Sequence, residues 1–432
     1  MKLFLLLAAF VLAALIVCNK NEKRACYYVI GTFFMPIFYE GVHLLLPIAF
    51  ILSLIVHDQI KKSVNNFPFT DVLLLILVIL LVISFYDSRL TGLKNVTVPL
   101  TYFINTYVFL FVGFNLIRNR TDWKNVTLLL AAVFIVYALY GIFTWLIQKN
   151  PLYDFYSTVF GQSGIWSSVQ RRGYRVNSFL DNPIAYGMVM ATGVMSLYVY
   201  NKLFPSKKII VVLVLSVINV VIANSRTSLM AFFMMVFLFL VFYYKLSWKG
   251  IASIMSVFLL FSSVYIFFKD KLGIVDSLIG IFVTGGDSTM GSDLNLKTIQ
   301  LQASYALFCQ SPIFGHGLNY YRDVIAVRFG GKTDLFGLEG YGYRMMVEMG
   351  LLMIIAFVLY FVKVIKTIFR NYRVSRLFAS LLLAQFLSFI FYIFATGEYG
   401  GVFEFCMIMI GLNFRMMIER AKNRTHFLSI SE

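Results

Sequence analysis

Charge is scarce in this chain. Only 13% of its 432 residues are Asp, Glu, Lys or Arg, against 60% hydrophobic residues, and no globular interior can hide that much apolar surface, so a soluble domain is excluded. Acid is scarcer still: 20 Asp and Glu stand against 37 Lys and Arg, a formal charge of +17. In a soluble chain that imbalance would point to nucleic acid. In a membrane chain Lys and Arg gather on cytoplasmic connections, which accounts for roughly half of the excess and makes nucleic acid no expected partner. The four cysteines (Cys18, Cys26, Cys309 and Cys406) are scattered without a CxxC and read as packing residues rather than a disulfide framework or metal site. Strand-type alternation is missing, which argues against an outer-membrane barrel. Also missing are HExxH, GxSxG, a Walker lysine and an Asp-x-Asp sugar-nucleotide signature. No metal or other cofactor is called for, and a substrate activated on a lipid carrier fits better than a nucleotide donor. No repeat with a period of 20 to 50 residues and no inverted repeat is visible.

What remains is a series of apolar runs, each near the length of about 20 residues that crosses a bilayer. The fold expected is an all-α polytopic membrane protein with about 12 transmembrane helices (11–13), at Leu3–Cys18, 42–57, 70–86, 99–116, 126–147, 183–201, 209–223, 228–244, 251–268, 350–365, 377–395 and 402–418, with Tyr27–Phe38 as a possible extra crossing. Leu3–Cys18 follows a lone Lys2 but no small-x-small cleavage site, so it is kept as a helix. The clusters Lys61/Lys62, Arg118/Arg120/Lys124, Lys202/Lys207/Lys208, Lys245/Lys249, Lys363–Arg376 and Arg415–Arg424 fall on alternate connections. One orientation satisfies them all, with the C-terminus cytoplasmic and the long inserts outside. The expected division is a bundle over 1–268 with an outer loop at 149–182, a large extracytoplasmic loop at 269–349 between the ninth and tenth spans, and C-terminal helices and tail over 350–432.

The inserts hold the charges that the positive-inside rule leaves over. Lys149–Asn182 ends in Arg171-Arg172-Gly173-Tyr174-Arg175-Val176-Asn177-Ser178-Phe179-Leu180-Asp181-Asn182-Pro183. Pro183 suits a first helical position with Asp181 or Asn182 as cap, which gives the Asp-Asn-Pro triplet a structural reading; the three arginines have none. Arg226 lies in Asn224–Ser228, a tight turn between two apolar runs at the outer rim. An intramembrane charge is expensive and kept for a partner or a task, with snorkelling to the surface as the plainer alternative. The planar guanidinium fork matches phosphate oxygens and stays charged at any ordinary pH. Arginines converging at this boundary would suit a pyrophosphate headgroup whose lipid tail stays in the bilayer.

In Lys269–Met349, Arg344 and Glu348 are four apart on one helix face, where an ordinary helix pair is the plain reading. Glu339 has no such partner in register and is the candidate general base, taking a proton from a sugar hydroxyl as it attacks; the alternative is an exposed loop acid. His316 lies between the glycines of Pro312-x-x-Gly315-x-Gly317, a turn sequence without the βαβ context of a nucleotide fingerprint, and is the alternative base. The candidate site comprises Glu339 and Arg226 as catalytic residues, Arg175, Arg172, Arg226, Arg344, Asn182 and Tyr341 as substrate-binding residues, and His316 and Lys297 as further members.

These segments resemble the O-antigen polymerase and ligase superfamily of membrane glycosyltransferases. Arg175–Pro183 is similar to its Arg-x-x-Gly-x-x-x-Asn-Pro segment, Asn224–Thr227 to its Thr-x-Ser-Arg turn, Gln310–Gly317 to its Asn-Pro-Leu-Phe-Gly-x-Gly stretch, and Tyr341–Leu352 to its Tyr-Leu-x-x-x-x-Glu-x-Gly-Leu helix start. The resemblance covers roughly residues 170–355. It implies a helical bundle with a large outer loop over a lateral groove in a bacterial cytoplasmic membrane. The implied partners are undecaprenyl-diphosphate-linked glycan donor and acceptor, the lipid bilayer and a chain-length regulator, and Arg175 and Arg226 would bind the diphosphate. Two departures matter: Ser178 replaces the common glycine, and Glu339-Gly340 stands where the ligase branch carries His-Asn. The second favours the polymerase branch over a ligase, and a lipid-linked oligosaccharide flippase is the rival outside enzymes.

Overall fold

A bilayer offers no hydrogen bonds to a bare backbone, so apolar runs of this length satisfy their peptide groups within helices. The computed structural model describes residues 2–34, 40–160, 169–170, 173–245, 250, 252, 256, 294–328, 340–397 and 401–430. Their helices are Lys2–Cys18 (α1), Asn21–Phe34 (α2), Glu40–Val56 (α3), Ile60–Asn66 (α4), Thr70–Tyr86 (α5), Lys94–Asn115 (α6), Arg120–Ile147 (α7), Pro151–Phe160 (α8), Pro183–Leu203 (α9), Lys207–Ile222 (α10), Arg226–Tyr244 (α11), Leu294–Gln310 (α12), Tyr341–Tyr372 (α13), Arg376–Thr396 (α14) and Val402–Ile430 (α15). A short antiparallel pair, Val169–Gln170 (β1) and Gly173–Tyr174 (β2), is the strand content of the described residues. Turns of π-helix interrupt α6 at Ile104–Val108 and α13 at Met345–Met349.

Among the described residues six helices are long and apolar enough to cross a membrane: α6, α7, α9, α11, α13 and α14. Leu44–Val56 and Ile60–Asn66 together would make a seventh, but the chain bends there by 110°. The expected span at 251–268 and the first part of the large insert, through residue 293, fall almost wholly outside the described residues, as do Arg172 and Glu339. The helix expected to begin at Gly350 is preceded by helical turns from Tyr341, with a break at Gly350, whose φ is +67° and after which the Leu351 and Leu352 amides bond to Pro312 and Ile313 instead of to the preceding turn.

Contacts between helix ends define two ends of the bundle. At the basic end Arg24 donates to Gln59 Oε1 at 3.2 Å, Lys422 to Asn66 at 3.4 Å and Arg376 to the carbonyl of Phe242 at 3.4 Å. There too, Arg120 lies over the Phe204 ring, Lys202 over Tyr243 and Arg420 over Phe378. At the other end, the insert end, the turn after α5 meets the chain after α12, and the segment before α9 meets the end of α10. Between them the interior is mostly apolar, and one connected polar network crosses several of its helices. Gln385 donates to Ser196 Oγ (2.9 Å) and the Thr192 carbonyl (3.0 Å), Asn413 donates to Ser196 Oγ (3.0 Å) and Gln385 Oε1 (3.1 Å), and the Trp123 indole reaches Asn413 Oδ1 at 3.4 Å. It ties α7, α9, α14 and α15 together through groups that bond one another, the condition for tolerable burial of polar atoms.

Candidate functional site

The segment before α9 is held by a side-chain scaffold rather than by regular structure. Asn150 donates to Asn177 Oδ1 and to the Ser178 carbonyl, both at 2.8 Å, while its own Oδ1 accepts from the Tyr140 hydroxyl at 2.8 Å. Tyr153 donates to the Asp181 carbonyl at 3.1 Å. Burial pushes the Tyr153 hydroxyl well above its ordinary range, and the Asp181 carboxylate adds to the shift, so it stays a neutral donor. Ser178 adopts φ +50°, the left-handed region, and its hydroxyl donates to the Tyr137 carbonyl at 2.9 Å. This is the position at which the resembling segment carries glycine, and the backbone keeps the shape that glycine takes freely. Asn182 caps α9, its Oδ1 accepting from the Ile184 amide at 2.8 Å with Pro183 next in line, as the triplet's structural reading anticipates.

Arg175 is buried within this scaffold, 7% exposed. Its neighbour Val176 donates to the Ile222 carbonyl at 3.4 Å, which fastens the segment to the last turn of α10. Four residues later Arg226 opens α11, with Ser225 as cap; Ser228 in the same turn donates to the Ile184 carbonyl at 2.6 Å. The arginine-bearing segment and the arginine-bearing turn are therefore each pinned to the other's helix. Tyr392, near the end of α14, lies within electrostatic reach of both Arg175 and Asp181.

The second insert converges on the same last turn of α14. Lys297 of α12 donates to the Ala395 carbonyl at 3.0 Å, a cation on a helix C-terminus, where the dipole favours it. Tyr341, fully buried, shares a hydrogen bond of 2.6 Å with the Tyr107 hydroxyl and accepts one of 3.2 Å from Tyr102. Tyr107 lies in the π turn of α6, and Tyr341 stands four residues before that of α13. Arg344 pairs with the fully buried Glu348 at 3.4 Å, the helix pair its spacing suggests, and Glu348 Oε1 also accepts the Tyr321 amide at 3.1 Å. The Pro312–Gly317 turn docks backbone to backbone on the start of α13: His316 N–H meets the Val347 carbonyl at 2.8 Å, Gly317 N–H the Glu348 carbonyl at 2.9 Å, and Leu351 N–H the Pro312 carbonyl at 2.8 Å. The His316 ring stacks on Tyr320, with Nε2 2.9 Å from the Leu307 carbonyl, so that nitrogen is engaged by α12. Arg89, held by Asp87 at 2.6 Å, braces the turn through the His316 carbonyl at 3.0 Å.

The structure thus brings the Arg175 segment, Asn182 and the Arg226 turn together, and sets Lys297 and Tyr341 beside the same helix end. His316, Asn182, Arg344 and Lys297 each carry a visible structural duty. Sequence reasoning passed over Tyr392, Asn150, Asp181 as a neighbour of Arg175, and Glu404, an acid 3% exposed in the first turn of α15. Glu404 alone had a readable signal, being an acid inside an apolar run. Among the described residues no three His, Cys, Asp or Glu side chains gather as a metal would need. Chemically the end offers guanidinium and phenol donors on rigid helix ends, which suits an anionic, hydroxyl-rich ligand.

These features are those of a multi-pass helical membrane protein, with the described parts of its two polar inserts meeting at one end of the bundle. Residues 211–352 match the family model described as O-antigen ligase, which supports placing the chain in the O-antigen polymerase and ligase superfamily of membrane glycosyltransferase-like enzymes. That stretch contains Arg226, Lys297, His316, Glu339, Tyr341 and Arg344, while Arg172, Arg175 and Asn182 precede it. No curated protein matches the chain.

Proposed function

We propose that the protein is a polysaccharide repeat-unit polymerase of the outer face of a bacterial cytoplasmic membrane, joining undecaprenyl-diphosphate-linked oligosaccharides into O-antigen, capsule or exopolysaccharide. Arg175 and Arg226 hold the diphosphate of the donor. The acceptor hydroxyl attacks the donor's anomeric carbon, the bond from that carbon to the phosphate oxygen breaks, and the diphosphate departs on its lipid. Glu339 takes the hydroxyl proton as the glycosidic bond forms. The guanidiniums stabilise the charge that develops on the leaving group. Arg172, Arg344, Asn182 and Tyr341 are the further substrate-binding residues of this reading, and a chain-length regulator acts as a partner.

The observation that carries this reading is the mutual anchoring of the two arginine segments, Val176 to Ile222 and Ser228 to Ile184, at one end of the bundle. A second reading, transfer of the finished glycan to another acceptor, is favoured by the ligase description of the matched family. Alanine at Arg175, Arg226 and Glu339 separately, with surface glycans resolved on a gel, tests both. Loss of one charge-stabilising donor lowers turnover by roughly 10²–10³. Polymerase loss leaves single-repeat glycans attached, ligase loss leaves full-length polymer unattached on its lipid, and flippase loss leaves no attached glycan. Unchanged ladders in all three variants refute the site.

A further inference from the structure

We infer that Tyr107, aided by Tyr102, is a positioning residue for Arg344: its hydroxyl, through Tyr341, seats the short element that presents this arginine to the donor diphosphate. Within the proposed function, on which this rests, Tyr341 serves the site as an anchor rather than as a ligand contact.

Tyr341 and Phe357 are 16 positions apart. In an unbroken helix that separation is about 24 Å, yet their ring centroids lie 5.8 Å apart. The chain therefore bends back at Gly350, where φ is +67° and where a Cβ would lie 2.5 Å from the Gly315 amide nitrogen and from the Ile313 carbonyl oxygen. The other end of this folded-back element is Gly340, with φ +152°; a Cβ there would meet the Phe394 carbonyl oxygen at 2.8 Å. Two glycines in conformations that other residues rarely adopt thus bound the stretch that carries Tyr341, Arg344 and Glu348.

Inside that stretch the side chains have different duties. Tyr341 is fully buried, and its hydroxyl shares a hydrogen bond of 2.6 Å with Tyr107 and accepts one of 3.2 Å from Tyr102. A ligand could reach that hydroxyl only by displacing them. Tyr107 is itself buried and lies in the π turn of α6, a local widening of the helix that recurs at functional sites. Arg344 is three positions after Tyr341 and so on the same helix face. It keeps 23% of its side chain exposed while pairing with the buried Glu348 at 3.4 Å. Glu348 thus orients the guanidinium, and the tyrosine hydroxyls fix the backbone that carries it. A pair of buried neutral hydroxyls sets position without adding charge. Losing one of them changes where Arg344 stands and leaves its chemistry intact, and a binding group displaced even slightly loses much of its effect.

The full-length protein in phosphatidylcholine nanodiscs is titrated with undecaprenyl diphosphate, and the rise in its thermal unfolding midpoint gives the half-saturating level. Tyr107→Phe, which leaves Tyr341 with Tyr102 as partner, raises that level about fivefold, as loss of one neutral hydrogen bond predicts. Tyr341→Phe, the companion variant, raises it at least as much. In an Arg344→Ala background, where the level is already raised, Tyr107→Phe adds nothing, because it acts through that arginine; a merely structural effect adds equally in both backgrounds. Tyr200→Phe, which alters a buried phenol packed on Trp123 at the basic end, leaves the level unchanged. Arg175→Ala and Arg226→Ala check the underlying reading: if they weaken binding and Tyr107→Phe does not, the positioning role alone falls. That role is also overturned if Tyr107→Phe weakens binding equally without Arg344, or if Tyr200→Phe weakens it as much. If undecaprenyl diphosphate does not bind the unsubstituted protein, the reading of the donor site falls and the positioning role with it.

Discussion

Gly315 is the residue whose replacement tests most directly how the large insert is coupled to the bundle. Its φ is +68°, and a Cβ built on it would lie 2.5 Å from the carbonyl carbon of Glu348 and from the amide nitrogen of Met349. Both are backbone atoms of a buried turn, so no side chain can swing aside. An alanine there pays the left-handed cost of about 1–2 kcal/mol and also separates two paired backbones. The bonds at risk are His316 to Val347 (2.8 Å), Gly317 to Glu348 (2.9 Å), Leu351 to Pro312 (2.8 Å) and Leu352 to Ile313 (3.3 Å). At about 1 kcal/mol net each, loss of two to four raises the total to about 3–6 kcal/mol. Gly92 is the internal control. It has φ +59° and nothing within 4 Å of its Cβ, so Gly92→Ala carries the strain alone, about 1–2 kcal/mol. Unfolding midpoints of both variants in nanodiscs, with hydrogen exchange on 311–317 and 345–352, separate the two effects. Gly315→Ala should unfold well below Gly92→Ala and expose the amides of His316, Gly317 and Leu351. Equal midpoints with those amides still protected would refute the claim that the docked turn, rather than local strain, makes Gly315 necessary.

Two further outcomes follow from the same contacts. Ser178→Ala keeps the left-handed backbone and loses the 2.9 Å bond to the Tyr137 carbonyl, a loss of about 1–2 kcal/mol; Ser178→Gly loses the same bond but relieves the backbone, so it should unfold above the alanine variant, and the reverse order would contradict the role given to φ. Asn413→Leu strips partners from Gln385 Oε1, Ser196 Oγ and the Trp123 indole and should cost about 3 kcal/mol. Adding Gln385→Leu should cost much less than it does alone, and strict additivity in a double-mutant cycle would mean that the network is not one unit.

The helical bundle was legible because an apolar run of bilayer length has few alternatives to a helix, and 70–86 became α5 with the same boundaries. Local chemistry was equally readable. The Asn182-Pro183 cap and the Arg344–Glu348 pair each involve neighbours four or fewer residues apart, where spacing alone fixes geometry. What failed to show was contact across the chain. Tyr392 is some two hundred residues from Arg175 and Asp181, and Tyr341 lies 234 residues from the Tyr107 hydroxyl it bonds; no period or motif announces such partners. The early start of α13 was hidden for another reason. Tyr341-Gly342-Tyr343-Arg344 looks like loop by composition, yet Tyr341 is fully buried and the π turn after it accommodates the sequence. His316 stood out between two glycines, and the feature that drew attention to it proved to be docking geometry, with the ring facing the Leu307 carbonyl.

Where partners are known, some basic residues meet a carboxylate, at the basic end as in Arg415–Glu419 and at the insert end alike, and others meet only neutral groups. At the insert end, Arg344 meets a fully buried carboxylate in Glu348, and Asp181 shares with Arg175 the neighbourhood of Tyr392. Charge matched in this way adds little to the field outside the fold and is fixed in direction, which is what a site needs if it is to favour one charge distribution of a bound diphosphate. At the basic end, Arg24 meets a hydroxyl, an amide oxygen and an aromatic face, none of which cancels its charge. Unmatched charge acts at a distance, is screened over about 10 Å at 0.1 M salt, and draws anions to the surface above it. Raising ionic strength from about 0.05 to 0.5 M should therefore leave the repeat-unit transfer of a saturating donor nearly constant, and transfer that fell severalfold would show that the insert end works through an open field rather than through matched charge.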